Sequence, residues 1–193
     1  YGEFLRANVA SMRSHGLEFT LSTQNIKHKN FSWNSDFIFS HTKNKITDLY
    51  SPARILDLVQ GTGFPLVGYP VRSMFSIPFR GLNKEGLPTF LDQNGNITTT
   101  GIYFQERDKE KTKFLKYEGP IDPTFTGSLG NSFRYKNFSL NVFVTYSFGN
   151  VIRLDDVFSN EYDDLTSMTK EFRNRWTKAG DEAHTTIPAI ADL

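Results

Sequence analysis

The sequence predicts an all-β fold: antiparallel strands and hairpins of the kind that build a transmembrane β-barrel, present in part. Long extracellular loops and one short amphipathic helix complete the expected architecture. Three observations predict it. Four runs alternate apolar and polar residues with period two. Very short connections take turns with very long ones. Aromatic side chains make up 15% of the chain, 18 of them Phe, and gather near the ends of the alternating runs.

The first run, about 8–24, contains L17-E-F-T-L-S-T-Q24, with Leu17, Phe19 and Leu21 on one face and Glu18, Thr20 and Ser22 on the other. After the polar connection N25-I-K-H-K-N30, the second run, about 31–42, puts Phe31, Trp33, Phe37 and Phe39 on one face, with Ser35 interrupting. The third, about 124–135, alternates Phe125, Leu129, Phe133 and Tyr135 with Thr126, Ser128, Ser132 and Arg134. The fourth, about 138–148, is the cleanest: Phe138, Leu140, Val142, Val144, Tyr146 and Phe148 share a face, and only Phe143 breaks the polar one. Runs two and four both open on K-N-F-S, at 29 and at 136. Each copy starts a strand just after a tight turn, which pairs the runs into two hairpins.

The long connections are 43–122 and 149–193. Within the first, S73-M-F-S-I-P-F-R80 reads as extended, and T89-F-L-D-Q-N-G-N-I-T98 reads as a small hairpin around Asn94-Gly95. In the second, Leu165, Met168, Phe172 and Trp176 recur at steps of three and four, with acids early and Lys170, Arg173, Arg175 and Lys178 late. That spacing predicts an amphipathic helix ending at Gly180.

A barrel that crosses the outer membrane has short periplasmic turns, long outer loops and apolar residues facing lipid. On that reading Phe31, Trp33, Phe37, Phe39, Phe138, Leu140, Val142, Val144, Tyr146 and Phe148 face lipid. Alternation alone leaves open the inverse arrangement, a soluble two-layer β domain with these residues inside.

The remaining chemistry is sparse. A net charge of +1 shows no nucleic-acid footprint, and the absence of cysteine excludes thiolate sites within these residues. The four histidines, at 15, 28, 41 and 184, have no ligand spacing, so no metal or other cofactor is expected. Asp155, Asp156, Asp163 and Asp164 match the start of the expected helix better than a catalytic pair, so no enzyme is expected. Loop aromatics are the better candidates for ligand or partner contact: Tyr69, Phe75, Phe79, Tyr103 and Trp176, together with Phe90.

Several stretches taken in order carry a family likeness: M12-R-S-H-G-L-E-F-T-L, N25-I-K-H-K-N-F-S-W-N, G68-Y-P-V-R-S-M-F-S-I-P-F-R-G-L-N-K-E-G-L-P-T-F, G119-P-I-D-P-T-F-T-G-S-L-G-N-S-F-R-Y-K-N-F-S-L and R175-W-T-K-A-G-D-E-A-H-T-T-I-P. The chain resembles the SusC/RagA family, TonB-dependent outer-membrane transporters of Bacteroidetes. The resemblance implies a later part of a barrel of about 22 strands, without the plug domain. It also implies import of glycans, oligosaccharides or peptides, energised through TonB by a part of the parent protein outside this chain. A SusD-like surface lipoprotein would be the partner, and the location a bacterial outer membrane. The alternative is a soluble extracellular β domain that binds glycan or matrix.

Overall fold

The computed structural model describes residues 10–157 and 167–190. Four long strands form one antiparallel sheet in the order β1-β2-β8-β9: β1 (Ala10–Lys27), β2 (Phe31–Leu49), β8 (Phe125–Tyr135) and β9 (Phe138–Phe148). Between β2 and β8 lie a short helix, α1 (Ile55–Val59), and the strands β3 (Ser73–Ser76), β4 (Phe79–Leu82), β5 (Pro88–Leu91), β6 (Ile97–Thr98) and β7 (Lys116–Pro120). β3 pairs with β7, and β4-β5-β6 make a three-stranded sheet.

The chain divides into two compact units. The first comprises Tyr1–Ser51, Thr62–Met74 and Glu118–Val151, and contains the long sheet. The second comprises Pro52–Gly61, Phe75–Tyr117 and Ile152–Leu193.

In the first unit, both hairpins close through the residues Lys-Asn. His28 and Phe31 exchange backbone hydrogen bonds of 2.7 and 3.3 Å around Lys29-Asn30. Tyr135 pairs with Phe138 around Lys136-Asn137. Lys136 takes the positive φ of 52° that a two-residue hairpin asks of its first central residue. Phe31 also pairs with Tyr135, and the Lys136 N–H donates to the Asn30 carbonyl at 2.9 Å, so the two turns lie side by side at one end of the sheet. The connection from β2 to β8 leaves from the other end, where His41 pairs with Phe125 and Phe125 with Phe148.

Two boundaries differ from the sequence reading. β1 continues through the expected polar connection to Lys27, and absorbs Asn25 as a bulge between Gln24 and Ile26. β2 runs on past residue 42 to Leu49, because Ala10–Gly16 supply it with a paired partner strand. Polar residues there obscure the apolar alternation, and a second bulge, between Ser11 and Met12, skips Thr47 on the partner strand.

The second unit holds a small core of its own. Ala53, Ile55, Leu58, Phe75, Leu82 and Leu115 are buried. Two backbone bonds dock α1: the Ile55 N–H to the Glu106 carbonyl and the Leu56 N–H to the Phe104 carbonyl, both 3.0 Å. Asp57 reaches back to the Arg54 N–H at 3.0 Å and pairs with its guanidinium at 2.6 Å, which satisfies the helix start. The Arg54 hydrogen bond holds the Asp57 carboxyl below the usual carboxylate range. β5 and β6 join as expected, but through five residues, with the Asp92 carboxylate accepting the N–H groups of Asn94 and Asn96 at 2.8 and 2.7 Å.

Among the described residues the short α-helix is α1, and the described part of the tail is folded differently from the expectation. Leu165 lies outside the described residues. Over 167–176 there is only a 3-10 turn, Lys170–Asn174, with Thr169 and Arg175 extended on either side. Tertiary pairing overrides the helical spacing: the Trp176 N–H donates to the Ile187 carbonyl and the Ala189 N–H to the Gly86 carbonyl, both at 3.0 Å. A second 3-10 turn, Asp181–Ala183, follows.

Candidate functional site

Two regions carry the candidate residues, one in each unit. In the first unit the register places all ten expected lipid-facing residues on one face of the sheet. Across it run the rows Leu21–Phe37–Leu129–Val144 and Phe19–Phe39–Gly127–Tyr146. Those on β9 other than Tyr146 are bare in the structure, Phe138 at 79% exposed, Leu140 59% and Val144 53%, whereas Phe31, Trp33, Phe37, Phe39 and Tyr146 are half-buried. So large a contiguous apolar face demands a non-aqueous neighbour.

Aromatic rings border the face at both ends. Near the short turns Trp33 stacks on Phe133 at 5.7 Å. At the opposite end Phe125 stacks on His41 at 4.1 Å and on Phe148 at 4.8 Å. Tyr146 lies across Gly127 and donates its hydroxyl to the Ile38 carbonyl at 3.0 Å. A Cβ on Gly127 would overlap both that carbonyl and the Tyr146 ring, so only glycine fits.

Ser35, the interruption in the second run, sits in a hydrogen-bonded polar row on this same face. Its hydroxyl donates to Asn131 Oδ1 at 2.7 Å and accepts from Asn25 Nδ2 at 2.6 Å. Trp33 Nε1 donates to the same Asn131 oxygen at 3.0 Å, and Thr23 Oγ1 to Asn25 Oδ1 at 3.0 Å. The bulge at Asn25 aims its amide into this row. Because the row pairs Trp33, Ser35, Asn25 and the Asn131 oxygen with one another, the cost of placing it within an apolar face is reduced.

The other face is polar. It holds Glu18, Ser22, Asn34, Asp36, Ser132, Asn141 and Thr145, with Ser22 donating to Asp36 at 2.7 Å. Ile38 and Phe143 are its exceptions.

In the second unit, Phe79, Pro88, Phe90, Ile187 and Pro188 line an open cleft of about 510 Å³, with Asp156 at its edge. Phe79 and Phe90 are cross-strand neighbours with ring centroids 5.9 Å apart, and Phe79 stays 40% exposed. Phe90 thus joins Phe79 in one apolar recess with a single carboxylate, a surface suited to a sugar face or an apolar side chain.

The other loop candidates are dispersed. Phe75 is only 2% exposed and packs on Tyr117 at 5.5 Å, so it is a core residue and cannot meet a ligand. Trp176 is half-buried. Its ring lies where a Gly86 side chain would be, and Nε1 donates to Glu182 Oε2 at 3.0 Å. It anchors the tail. Tyr103 is 59% exposed and does not line the cleft. Tyr69 lies in the first unit, where its carbonyl accepts the Ile46 N–H at 2.8 Å.

Among the described residues no group of three His, Asp or Glu side chains is arranged to hold a metal ion. The acids of the second unit serve its loops. Backbone N–H groups hold Asp92, Asp181 and Glu182 below the usual carboxylate range.

No protein-family model matches the chain. It is similar to two proteins of Formosa agariphila. TonB-dependent receptor P3 is 26% identical over 96% of this chain, and TonB-dependent receptor P26 is 27% identical over 88%. The chain spans about a fifth of their length, 20% and 18%. Among solved structures it superposes on the RagAB peptide transporter with a TM-score of 0.67, at 22% identity, covering 95% of this chain and 20% of that one. The RagAB peptide importer in its open-open state gives a TM-score of 0.66 at 20% identity. These relatives are receptors and transporters rather than enzymes. Over nearly its whole length, then, the chain is similar to TonB-dependent receptors, and its fold matches one stretch of the RagAB transporter chain.

Proposed function

We propose that the chain forms part of the barrel wall and outer loops of a TonB-dependent importer. Its cargo is an oligosaccharide or a peptide, and a SusD-like surface lipoprotein is its partner. The observation that carries the reading is the sheet itself: a bare apolar face, bordered by aromatics at both ends, with both short turns at one end. Eleven residues at a rise of about 3.3 Å, tilted about 40°, cover roughly 27 Å, close to the ~25 Å apolar band of membrane barrels. The ten aligned residues then face lipid, and the polar face of Asp36, Asn34 and Asn141 lines the lumen. A soluble domain would have to cover this apolar face.

On this orientation the Lys-Asn turns face the periplasm, and the Phe79–Phe90 cleft belongs to the outer loops. Transport needs no bond chemistry from these residues. The rings would hold a sugar face or an apolar side chain, while lumen polarity lets cargo pass.

The test is growth and uptake by the host carrying a deletion of the complete gene, on a panel of oligosaccharides and oligopeptides as sole nutrient. Loss of growth on one class, restored by the wild-type gene, is expected. A Phe79→Ala/Phe90→Ala gene should restore it with several-fold lower uptake at limiting cargo. Undiminished growth and uptake on every class would refute the importer reading.

A further inference from the structure

The outward extension of the first hairpin carries a feature that transport does not use. Beyond the Leu17–His41 row, which ends the apolar face of β1 and β2, the next pairs on that face are His15–Lys43 and Arg13–Lys45. Successive same-face pairs are about 6.6 Å apart along a strand. Cations therefore begin one step outside the aromatic border, on the face that points to lipid.

Like charges placed directly opposite each other on a sheet destabilise it. Here Arg13 faces Lys45, and among the described residues no carboxylate forms an ion pair with Arg13, Lys43 or Lys45. Asp48 is the carboxylate on this part of the face. It lies farther out, opposite Ser11, and accepts the Leu49 N–H at 2.9 Å. All three cations are exposed.

Two of these cations, Arg13 and Lys45, also border a formed recess. Arg13, His15 and Lys45 line a groove of about 430 Å³ with Val67 and Gly68. Its wall is fixed to β2 by the Gly68 N–H to the Ile46 carbonyl at 2.9 Å, and by the Ile46 N–H to the Tyr69 carbonyl at 2.8 Å. Ile46 beneath it is 3% exposed. Gly68 keeps the wall low: a Cβ there would lie 4.0 Å from Lys45 Cε.

We propose that Arg13, Lys43 and Lys45 form a binding site for the phosphate groups of an outer-leaflet lipid headgroup. The apolar face below takes the acyl chains, and an anion between the two strands relieves the Arg13–Lys45 repulsion. Charge sign, position one step above the aromatic border and continuity with the apolar face all select a membrane lipid over a soluble anion. The inference rests on the lipid-facing reading of the sheet.

The experiment uses the complete protein purified from its host membrane into detergent. Native mass spectrometry would count bound lipid after titration with diphosphoryl lipid A, with the same lipid stripped of its phosphates, and with inorganic phosphate as competitor. At least tenfold preference for the phosphorylated lipid is expected, with no competition from millimolar phosphate. The variant Arg13→Gln/Lys43→Gln/Lys45→Gln should lose that preference, while Arg107→Gln/Lys109→Gln retains it. Equal binding of the two lipids by the unmodified protein overturns the proposal, and needs no variant to fold. So does unchanged preference in the triple variant. A spin label at Val144→Cys separates the two readings. A lipid-exposed label with no phosphate preference sinks the headgroup site alone, and a water-exposed label sinks the lipid-facing face as well.

Discussion

Val144 and Phe143 are adjacent, apolar and exposed, at 53% and 68%, yet they point to opposite faces of β9. Arginine at each should therefore have very different costs. Val144 shares its row with Leu129, Phe37 and Leu21, and lies four residues from the outer end of the strand at Phe148. Four residues at about 3.3 Å, tilted about 40°, place it roughly 10 Å below that end, within a few Å of the middle of a ~25 Å band. A charge there costs about 2–4 kcal/mol. Phe143 pairs with Gly130, which pairs with Asp36 on the polar face. Arginine there finds water and a nearby carboxylate, and its cost should stay within about 1 kcal/mol. Val144→Arg should thus lower the folded-to-unfolded ratio about 30- to 1,000-fold, and Phe143→Arg by fivefold or less. Guanidinium titration of the complete protein in phosphatidylcholine vesicles, followed by heat-modified gel mobility, measures both. Equal losses, or a larger loss for Phe143→Arg, would refute the assignment of faces.

The polar row makes a second prediction. Asn131→Ala strands the donors of Trp33 and Ser35 and should cost about 1–3 kcal/mol. A double-mutant cycle with Ser35→Ala should return a coupling near 1 kcal/mol, read from the same titration. Gly127→Ala has no space for its methyl between the Ile38 carbonyl and the Tyr146 ring; a loss of about 1–3 kcal/mol is expected in vesicle unfolding. Gly86→Ala combines a φ of +76° with an approach of 2.5 Å to Trp176 Cδ2, and should cost about 2–4 kcal/mol. Protease cutting confined to the second unit would register it. Acid should loosen the same unit first. Its carboxyls at Asp57, Asp92, Glu106, Asp181 and Glu182 are all held below their ordinary values, so their contribution is complete above the unfolded range near pH 4 and is lost as pH falls below it. Hydrogen exchange at pH 3 against pH 7 should show faster exchange around residues 92–96 and 177–183, with the β8–β9 ladder protected.

Local spacing accounts for the features legible before folding. A period of two assigns each side chain to a face, so Phe138, Leu140, Val142 and Val144 were legible as one row. The doubled Lys-Asn-Phe-Ser was legible as two turns, and the structure adds that they lie side by side, joined by the Lys136–Asn30 bond. The Phe79 and Phe90 rings were visible as loop aromatics, but the cleft they share with Ile187 and Pro188 was not. Tertiary structure alone decided three further points, each through partners far apart in the chain. Ser35 is accommodated by Asn131, 96 residues away, a partner no local pattern can name. The tail carries a helical spacing, yet Trp176 bonds to Ile187 and packs over Gly86, because those contacts outweigh the weak preference of a short segment for helix. Phe75 is spelled like the exposed rings around it, and only the folded loop closes over it. Periodicity fixes direction relative to the backbone; which surface each direction meets depends on chain returning from a distance.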